Sequence, residues 1–199
     1  VTGGAGYIGS HVCLELLKAN HDVMVFDDLS NSSEEAIRRV ESLSNRKLEL
    51  VIGDLRDAIV IKDAMCAFKP DSVIHFAGLK AVGDSVVNPL HYYDVNVHGT
   101  INLLKAMDIA ECSEIIFSSS ATVYGEINKP PYTEMMPVAP SSPYGQTKLM
   151  VENILEDWSA SYFMNRAVVL RYFNPLGAHA SGQLGEDPKD SPNNVMPLI

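Results

Sequence analysis

Cysteine is scarce here and poorly placed for pairing. The 199 residues hold three, Cys13, Cys66 and Cys112, far apart and with no C-x-x-C spacing. That pattern argues against a disulfide framework or a thiolate metal cluster and suits a reducing compartment. All three read as small apolar core residues. Positive charge is also short, 15 Lys and Arg against 25 Asp and Glu, for a net charge of −10. Such a balance argues against a nucleic-acid-binding surface. No Lys/Arg block marks an anionic membrane patch, and no apolar run is long enough to span a bilayer. His11, His21, His91, His98 and His179 lack metal-ligand spacing, and no metal site is expected. His75 sits inside an apolar run and reads as a hydrogen-bonded core residue. No repeat or low-complexity tract is visible.

What is present supports a core. Hydrophobic residues make up 46% of a chain sized for one domain or slightly more. Both ends read as cut. A glycine-rich turn follows Val1 almost at once, although such a turn normally leaves a buried strand. The C-terminal "NNVMPLI" stops where another element begins. A missing leader is therefore uninformative.

Apolar runs alternate with helical patterns. "DVMVFD" (22–27), "LELVIGD" (48–54), "SVIHFAG" (72–78), "EIIFSSS" (114–120) and "RAVVLRYF" (166–173) read as buried strands. Ile8, Val12, Leu16 and Leu17 form one helical stripe, and Ile37, Val40 and Leu43 another. Further helices are expected near 57–68, 89–109 and 143–162, the second as one long helix packed on the sheet. The Met135–Met136 pair falls in a loop and reads as packing. This alternation predicts an α/β fold, a Rossmann-type doubly wound parallel sheet covered on both faces. From Asn174 onward Gly, Pro, Asn and Asp dominate. A domain transition is expected there, with residues 1–173 as one domain and 174–199 as the incomplete start of a second, smaller one.

"TGGAGYIGSH" (2–11) places Gly3, Gly6 and Gly9 at a period of three. Glycine permits a tight turn and close approach of backbone to phosphate. The helix that follows aims N–H groups and a positive dipole end at an anion. Asp27 ends the next strand, 21 residues after Gly6. A carboxylate there can accept from both ribose hydroxyls of an adenosine and repel a 2′-phosphate, which favours NAD over NADP. Asp28 follows, and no Arg comes before Arg38. The plainer alternative is that Asp27 caps its own loop. Asp54 also ends a strand, where it could meet an adenine amino group. "FAGLK" (76–80) offers a small Ala77–Gly78 pair for close passage of a ligand.

The reacting chemistry is expected around "SSSATVYG" (118–125) and "SSPYGQTKLM" (141–150). Tyr144 and Lys148, four apart, share one helix face. A cation one turn away should lower the pKa of a phenol toward neutrality and make it a general base. Ser120 can hydrogen-bond the reacting alcohol and relay its proton. A surface Tyr and Lys would be the bland reading, but the glycine turn and the serine strand end weigh against it. Asn96, within 89–109, could hydrogen-bond backbone near this centre.

Together "TGGAGYIG", Ser120 and "YGQTK" resemble the extended short-chain dehydrogenase/reductases. "VIHFAGLKAVGDSV", "IIFSSSATVYG", "SPYGQTKLMVE", "LRYFNPLGAH" and "NNVMP" extend the likeness over nearly the whole chain, toward the UDP-hexose 4-epimerases of that family. The resemblance implies that Tyr144 is the base, Lys148 its cationic partner and ribose ligand, and Ser120 the relay. It implies NAD contacts at Tyr7, Ile8, Asp27, Asp28, Leu29, Ser30, Asn31, Ser32, Asp54, Leu55, Phe76, Ala77, Gly78, Leu79, Lys80 and Phe173. It places Lys80, Ser120, Ala121, Thr122, Tyr144, Asn174, Asn193 and Asn194 near the nucleotide sugar. The implied reaction is reversible C4 epimerisation of UDP-glucose and UDP-galactose through a 4-keto sugar with tightly bound NAD, in a cytoplasmic homodimer. Related 4,6-dehydratases carry an Asp-Glu pair where this chain has Ala121 and Thr122. A UDP-N-acetylhexosamine epimerase, a nucleotide-sugar dehydrogenase that releases NADH and a non-enzymatic NAD-binding protein remain as alternatives.

Overall fold

The computed structural model describes residues 1–187 and 189. The helices are α1 (Tyr7–Lys18), α2 (Glu34–Ser44), α3 (Ala58–Phe68), α4 (Val82–Val87), α5 (Pro89–Tyr92), α6 (Gly99–Ile109) and α7 (Pro143–Ser161). The strands are β1 (Met24–Asp27), β2 (Glu49–Ile52), β3 (Val73–His75), β4 (Glu114–Ser120) and β5 (Arg166–Tyr172). The architecture is α/β with parallel strand pairing. Five strands form where five apolar runs predict them. Helix α4 and a 3₁₀ turn at Ala121–Tyr124 had no sequence prediction.

The chain divides into two compact units. The first takes in Val1–Asp54, Ile74–Ala77 and the described residues from Asn174. Here β1 pairs in parallel with β2, Met24 against Glu49 through Asp27 against Ile52. Thr2 bridges Phe26 on one side and His75 on the other, so the short stretch before the glycine turn lies between two strands. His75 is buried, with Nδ1 2.6 Å from the Thr2 hydroxyl, as a paired core histidine should be. The core gathers Cys13, Leu14, Leu17, Val23, Val25, Ile37 and Val40. The stripe expected on α1 is thereby corrected. Leu17 is fully buried, but Cys13 and Leu14 take the inner positions, while Ile8, Val12 and Leu16 are half-buried. The helix is rotated so that Gly9 faces inward, where its lack of a side chain is needed.

The second unit takes in Leu55–Val73 and Gly78–Phe173. Strand β4 pairs in parallel with β5, Glu114 against Arg166 through Ser120 against Tyr172. Helix α3 starts at Asp57, whose side chain accepts from the Ile59 and Val60 amides, and packs against α6. The long helix expected at 89–109 is continuous but irregular. A π-helical segment at Tyr93–His98 joins α5 to α6. Several expectations about packing are corrected. Strands β2 and β5, expected to be buried, leave Ile52, Val168 and Leu170 exposed. Cys66 is half-buried, whereas Cys13 and Cys112 are buried. Of the Met135–Met136 pair, Met135 is 93% exposed and Met136 is half-buried.

Candidate active site

The glycine turn is made of close backbone contacts. Gly3 has φ +68°, and a Cβ there would lie 2.6 Å from the Ala77 amide nitrogen. A Cβ on Gly9 would lie 2.2 Å from the Gly3 carbonyl oxygen, so α1 can begin only where a residue without a side chain meets the turn. Gly6 caps α1 with no side-chain hydrogen bond, and the first turn of the helix carries no carboxylate. No residue of the first turn of α1 places a carboxylate of its own on the positive end of the helix, a chemical fit for the phosphates of a dinucleotide.

Asp27 is 7% exposed and does more within the turn than its sequence position suggests. Its Oδ2 accepts from the Ala5 amide at 2.9 Å. Its Oδ1 accepts from the Leu29 amide at 3.0 Å and the Ser32 hydroxyl at 2.7 Å. A carboxylate has about four acceptor sites, so these three bonds leave capacity for a ligand hydroxyl. Beside it, Asp28 Oδ1 takes the Ser30 amide and hydroxyl, and Leu29 adopts φ +57°. Lys189 donates its ammonium to the Leu29 carbonyl at 2.6 Å and its amide to Asn31. The Tyr7 hydroxyl donates to the Gly177 carbonyl. Asp54 lies two residues beyond β2 and is half-buried, as are Phe76 and Ala77 just after β3. Asn174 is exposed, and Asn193 and Asn194 lie outside the described residues.

In the second unit, helix α7 is opened by Ser142, whose hydroxyl accepts from the Gly145 amide, and by Pro143 in the first turn. Its buried face comprises Tyr144, Thr147, Lys148, Val151 and Leu155, the i, i+3, i+4, i+7, i+11 pattern of a core stripe. A lysine therefore occupies a core position. Its ammonium donates to the Ser118 carbonyl at 2.8 Å, lies 4.8 Å from the centre of the Phe117 ring and 5.9 Å from that of Tyr144. Burial pushes its pKa down to about 8.

The Tyr144 phenol shows the opposite direction from the sequence expectation. Burial raises its pKa, and the hydrogen bond with Ser120 pulls down against that rise. Burial of the phenol outweighs any help from Lys148, whose ammonium donates to the Ser118 carbonyl and lies 5.9 Å from the centre of the Tyr144 ring. Ser120 is well placed for a relay. Its oxygen accepts from the Thr122 amide at 3.2 Å and the Thr122 hydroxyl at 3.0 Å. With both lone pairs taken, its own proton is left to donate. Ala121 and Thr122 form the 3₁₀ turn after β4 and bring no carboxylate to it.

Asn96 proves to be a structural hinge pin. Its Oδ1 accepts from the Leu79 amide at 2.8 Å, and its Nδ2 donates to the Leu79 carbonyl at 3.0 Å and to Thr147 Oγ1 at 3.0 Å. The wide π turn around it aims the amide between the 78–80 segment and α7. Gly78 and Lys80 flank that clamp and are exposed, and Leu55 is buried beside Gly99. Phe173 is exposed, with its ring 5.9 Å from that of Tyr132. Sequence reasoning missed Thr147, Ser118, Glu152 and Arg171. Only Glu152 left a signal, at the third step of the Tyr144, Lys148 four-residue spacing.

Among the described residues no group of three His, Cys, Asp or Glu is placed to hold a metal ion, and no helix is long and apolar enough to cross a membrane.

The chain is 51% identical to UDP-glucose 4-epimerase from Yersinia pestis over 200 residues, covering all of this chain and 59% of that one. Two solved structures superpose closely. UDP-glucose 4-epimerase from Bifidobacterium longum, in complex with NAD⁺ and UDP, gives a TM-score of 0.96 at 47% identity, covering 98% of this chain and 59% of that one. The enzyme from Stenotrophomonas maltophila, with bound NAD and formylated UDP-arabinopyranose, gives 0.95 at 44% identity, covering 100% and 59%. This chain thus spans about three-fifths of the length of these relatives. The family model described as GDP-mannose 4,6 dehydratase matches residues 1–194, and the chain belongs to that family, within the extended short-chain dehydrogenase/reductases.

Proposed function

We propose that the protein is an NAD-dependent UDP-hexose 4-epimerase, interconverting UDP-glucose and UDP-galactose through a transient 4-keto sugar. The observation that carries this reading is the buried set of Ser120, Tyr144 and Lys148 on β4 and α7, next to a strand end without carboxylates. The similarity to UDP-glucose 4-epimerases supports it.

NAD, when bound, supplies hydride acceptance from C4 and hydride return to it. The glycine turn would receive the pyrophosphate, and Asp27 would accept from the adenosine ribose through its remaining acceptor capacity. Tyr144 takes the proton from the C4 hydroxyl and returns it in the reverse half. Ser120, its lone pairs held by Thr122, donates a hydrogen bond to the phenol oxygen and so stabilises the phenolate. Lys148 uses one donor on Ser118 and offers the others to a ribose hydroxyl. Its positive charge, held in a desolvated position, then acts on the site without screening by water. Lys80, Ala121, Thr122, Asn174, Asn193 and Asn194 are assigned to the sugar nucleotide. Dehydration would need an acid and a base near C5 and C6, and Ala121 and Thr122 supply neither. Residues 1–173 serve the cofactor, and those from 174 begin the sugar-nucleotide region. We assign a homodimer to the full-length protein, in the cytoplasm, where three free thiols are stable.

The test is made on the full-length protein. NAD should survive gel filtration, and UDP-galactose should be converted without net NADH release. Release of NADH with each turnover identifies a dehydrogenase instead. Bound NAD without conversion of UDP-galactose or UDP-N-acetylgalactosamine identifies a binding protein.

A further inference from the structure

Helix α7 carries a third polar residue in step with Tyr144 and Lys148. Glu152 follows Lys148 by four residues, one further turn along the helix. Its side chain is only 9% exposed. Two strands grip it. Ser119 on β4 donates its hydroxyl to Oε1. Arg171 on β5 donates through Nη2 to Oε2 at 2.7 Å and through Nε to Oε1 at 3.1 Å, the forked match of guanidinium to carboxylate. Ser119 and Arg171 are direct partners in the β4–β5 register, so one carboxylate closes a knot across three elements. Ser119 is also the immediate neighbour of Ser120.

The guanidinium has a second set of contacts. Its carbon lies 4.9 Å from the centre of the Tyr124 ring, and Nη1 donates to the Glu134 carbonyl at 3.4 Å. Tyr124 stacks on Tyr132, which leans on Phe173. The same pair therefore anchors the loop that follows the 3₁₀ turn.

A buried ion pair is weak as a source of stability, because apolar side chains of similar volume do as well or better. What apolar contacts do not supply is direction. A helix packed through Leu and Val can slide or rotate by fractions of an ångström, whereas a forked ion pair fixes both distance and angle. We propose that Glu152 and Arg171 form a positioning pair that sets the register of α7 against β4, holding Tyr144 at Ser120 and Lys148 at the Ser118 carbonyl. Both act through the helix and neither acts on the reacting atoms. The inference rests on the epimerase reading above.

The experiment uses the full-length protein. Wild type must first retain NAD and turn over UDP-galactose; if it does not, the functional reading falls and this inference falls with it. With an active wild type, Glu152→Gln and Arg171→Lys should each lower kcat by about 10- to 100-fold, as small misplacements of reacting groups do. KM for UDP-galactose and bound NAD should stay within about threefold, since no binding contact is removed. The double variant Glu152→Met/Arg171→Met replaces the pair by apolar bulk. It should melt no lower than the single variants yet keep their low kcat. Near wild-type kcat in any folded variant overturns the proposal. So does a loss that appears in KM or NAD content, or a double variant whose kcat recovers together with its thermal stability. If the single variants do not fold, the double variant decides alone by its kcat.

Discussion

The glycine turn and the inner face of α7, the two parts of the proposed site, are built in opposite ways. The turn works with backbone. Gly3 and Gly9 are closed in by the backbone of Phe76, Ala77, Gly3 and Gly4, with the Asp27 carboxylate on the Ala5 amide, and the space they use is space that a single Cβ would fill. The α7 face works with side chains. Ser120 and Tyr144 are 24 positions apart, and Lys148 reaches a carbonyl 30 positions back. A backbone device should fail when an atom is added, with its chemistry unchanged. A side-chain device should keep its shape when an atom is removed and lose its chemistry.

The largest effect is expected from Tyr144→Phe, which deletes one oxygen. Epimerisation in the full-length protein should fall by roughly 10²- to 10⁴-fold, the usual worth of a general acid–base group. NAD content after gel filtration should match wild type. Turnover near the wild-type rate would move the base elsewhere and remove the contrast between the two regions.

Gly9→Ala adds one carbon at the backbone device. With its Cβ 2.2 Å from the Gly3 oxygen, the turn must shift. Thermal unfolding should report a loss of about 1–3 kcal/mol, typical of overpacking, together with loss of bound NAD. A folded variant that keeps its cofactor would show that the turn yields more than its geometry implies.

Lys148→Met probes the cost of putting a cation in a core stripe. The folded amine has a pKa of about 8 against an ordinary 10.5, so the unfolded chain binds the proton more tightly. Stability contributed by this group is present above pH 10.5 and is lost as pH falls through 8. At pH 7 the Met variant should therefore be more stable than wild type, by up to about 3 kcal/mol. That margin should shrink as pH rises from 8 to 10, while activity is lost throughout. Chemical denaturation at several pH values measures it. A Met variant less stable at pH 7 would mean that the Ser118 hydrogen bond outweighs desolvation.

The smallest effect is expected from Asp27→Ala. NAD affinity should weaken by about tenfold, the worth of a charged hydrogen bond, and preference over NADP should narrow. This variant sharpens the comparison most, because Asp27 also holds the Ala5 amide, the Leu29 amide and the Ser32 hydroxyl. Equal loss for both cofactors would mean that the carboxylate only organises its turn.

The fold was legible because strands of a parallel sheet are apolar runs and the helices between them are amphipathic, although β2 and β5 leave Ile52, Val168 and Leu170 exposed. All five strands appear where those runs lie. Helix α4 was not legible, since "VGDSVV" carries no stripe and leaves Val82, Val86 and Val87 exposed. The π segment was also hidden, because one extra residue per turn costs no visible change in pattern. The face of α1 was misassigned for a related reason. Several apolar stripes were available on it, and the need to seat Gly9 against Gly3 chose among them.

By itself the sequence determined the kind of fold and located the glycine turn and the side chains to which the proposed chemistry is assigned. These depend on periodicity, on missing side chains and on residue chemistry, all local properties. Only the tertiary structure decided the electrostatics. Four-residue spacing put Tyr144 and Lys148 on one face, but packing against β4 sent the ammonium to the Ser118 carbonyl and removed water from both groups. It also brought Glu152 and Arg171 together, 19 residues apart, by making Arg171 the register partner of Ser119. Burial, direction and pairing across strands belong to the neighbours of a residue in space, and a linear pattern does not record them.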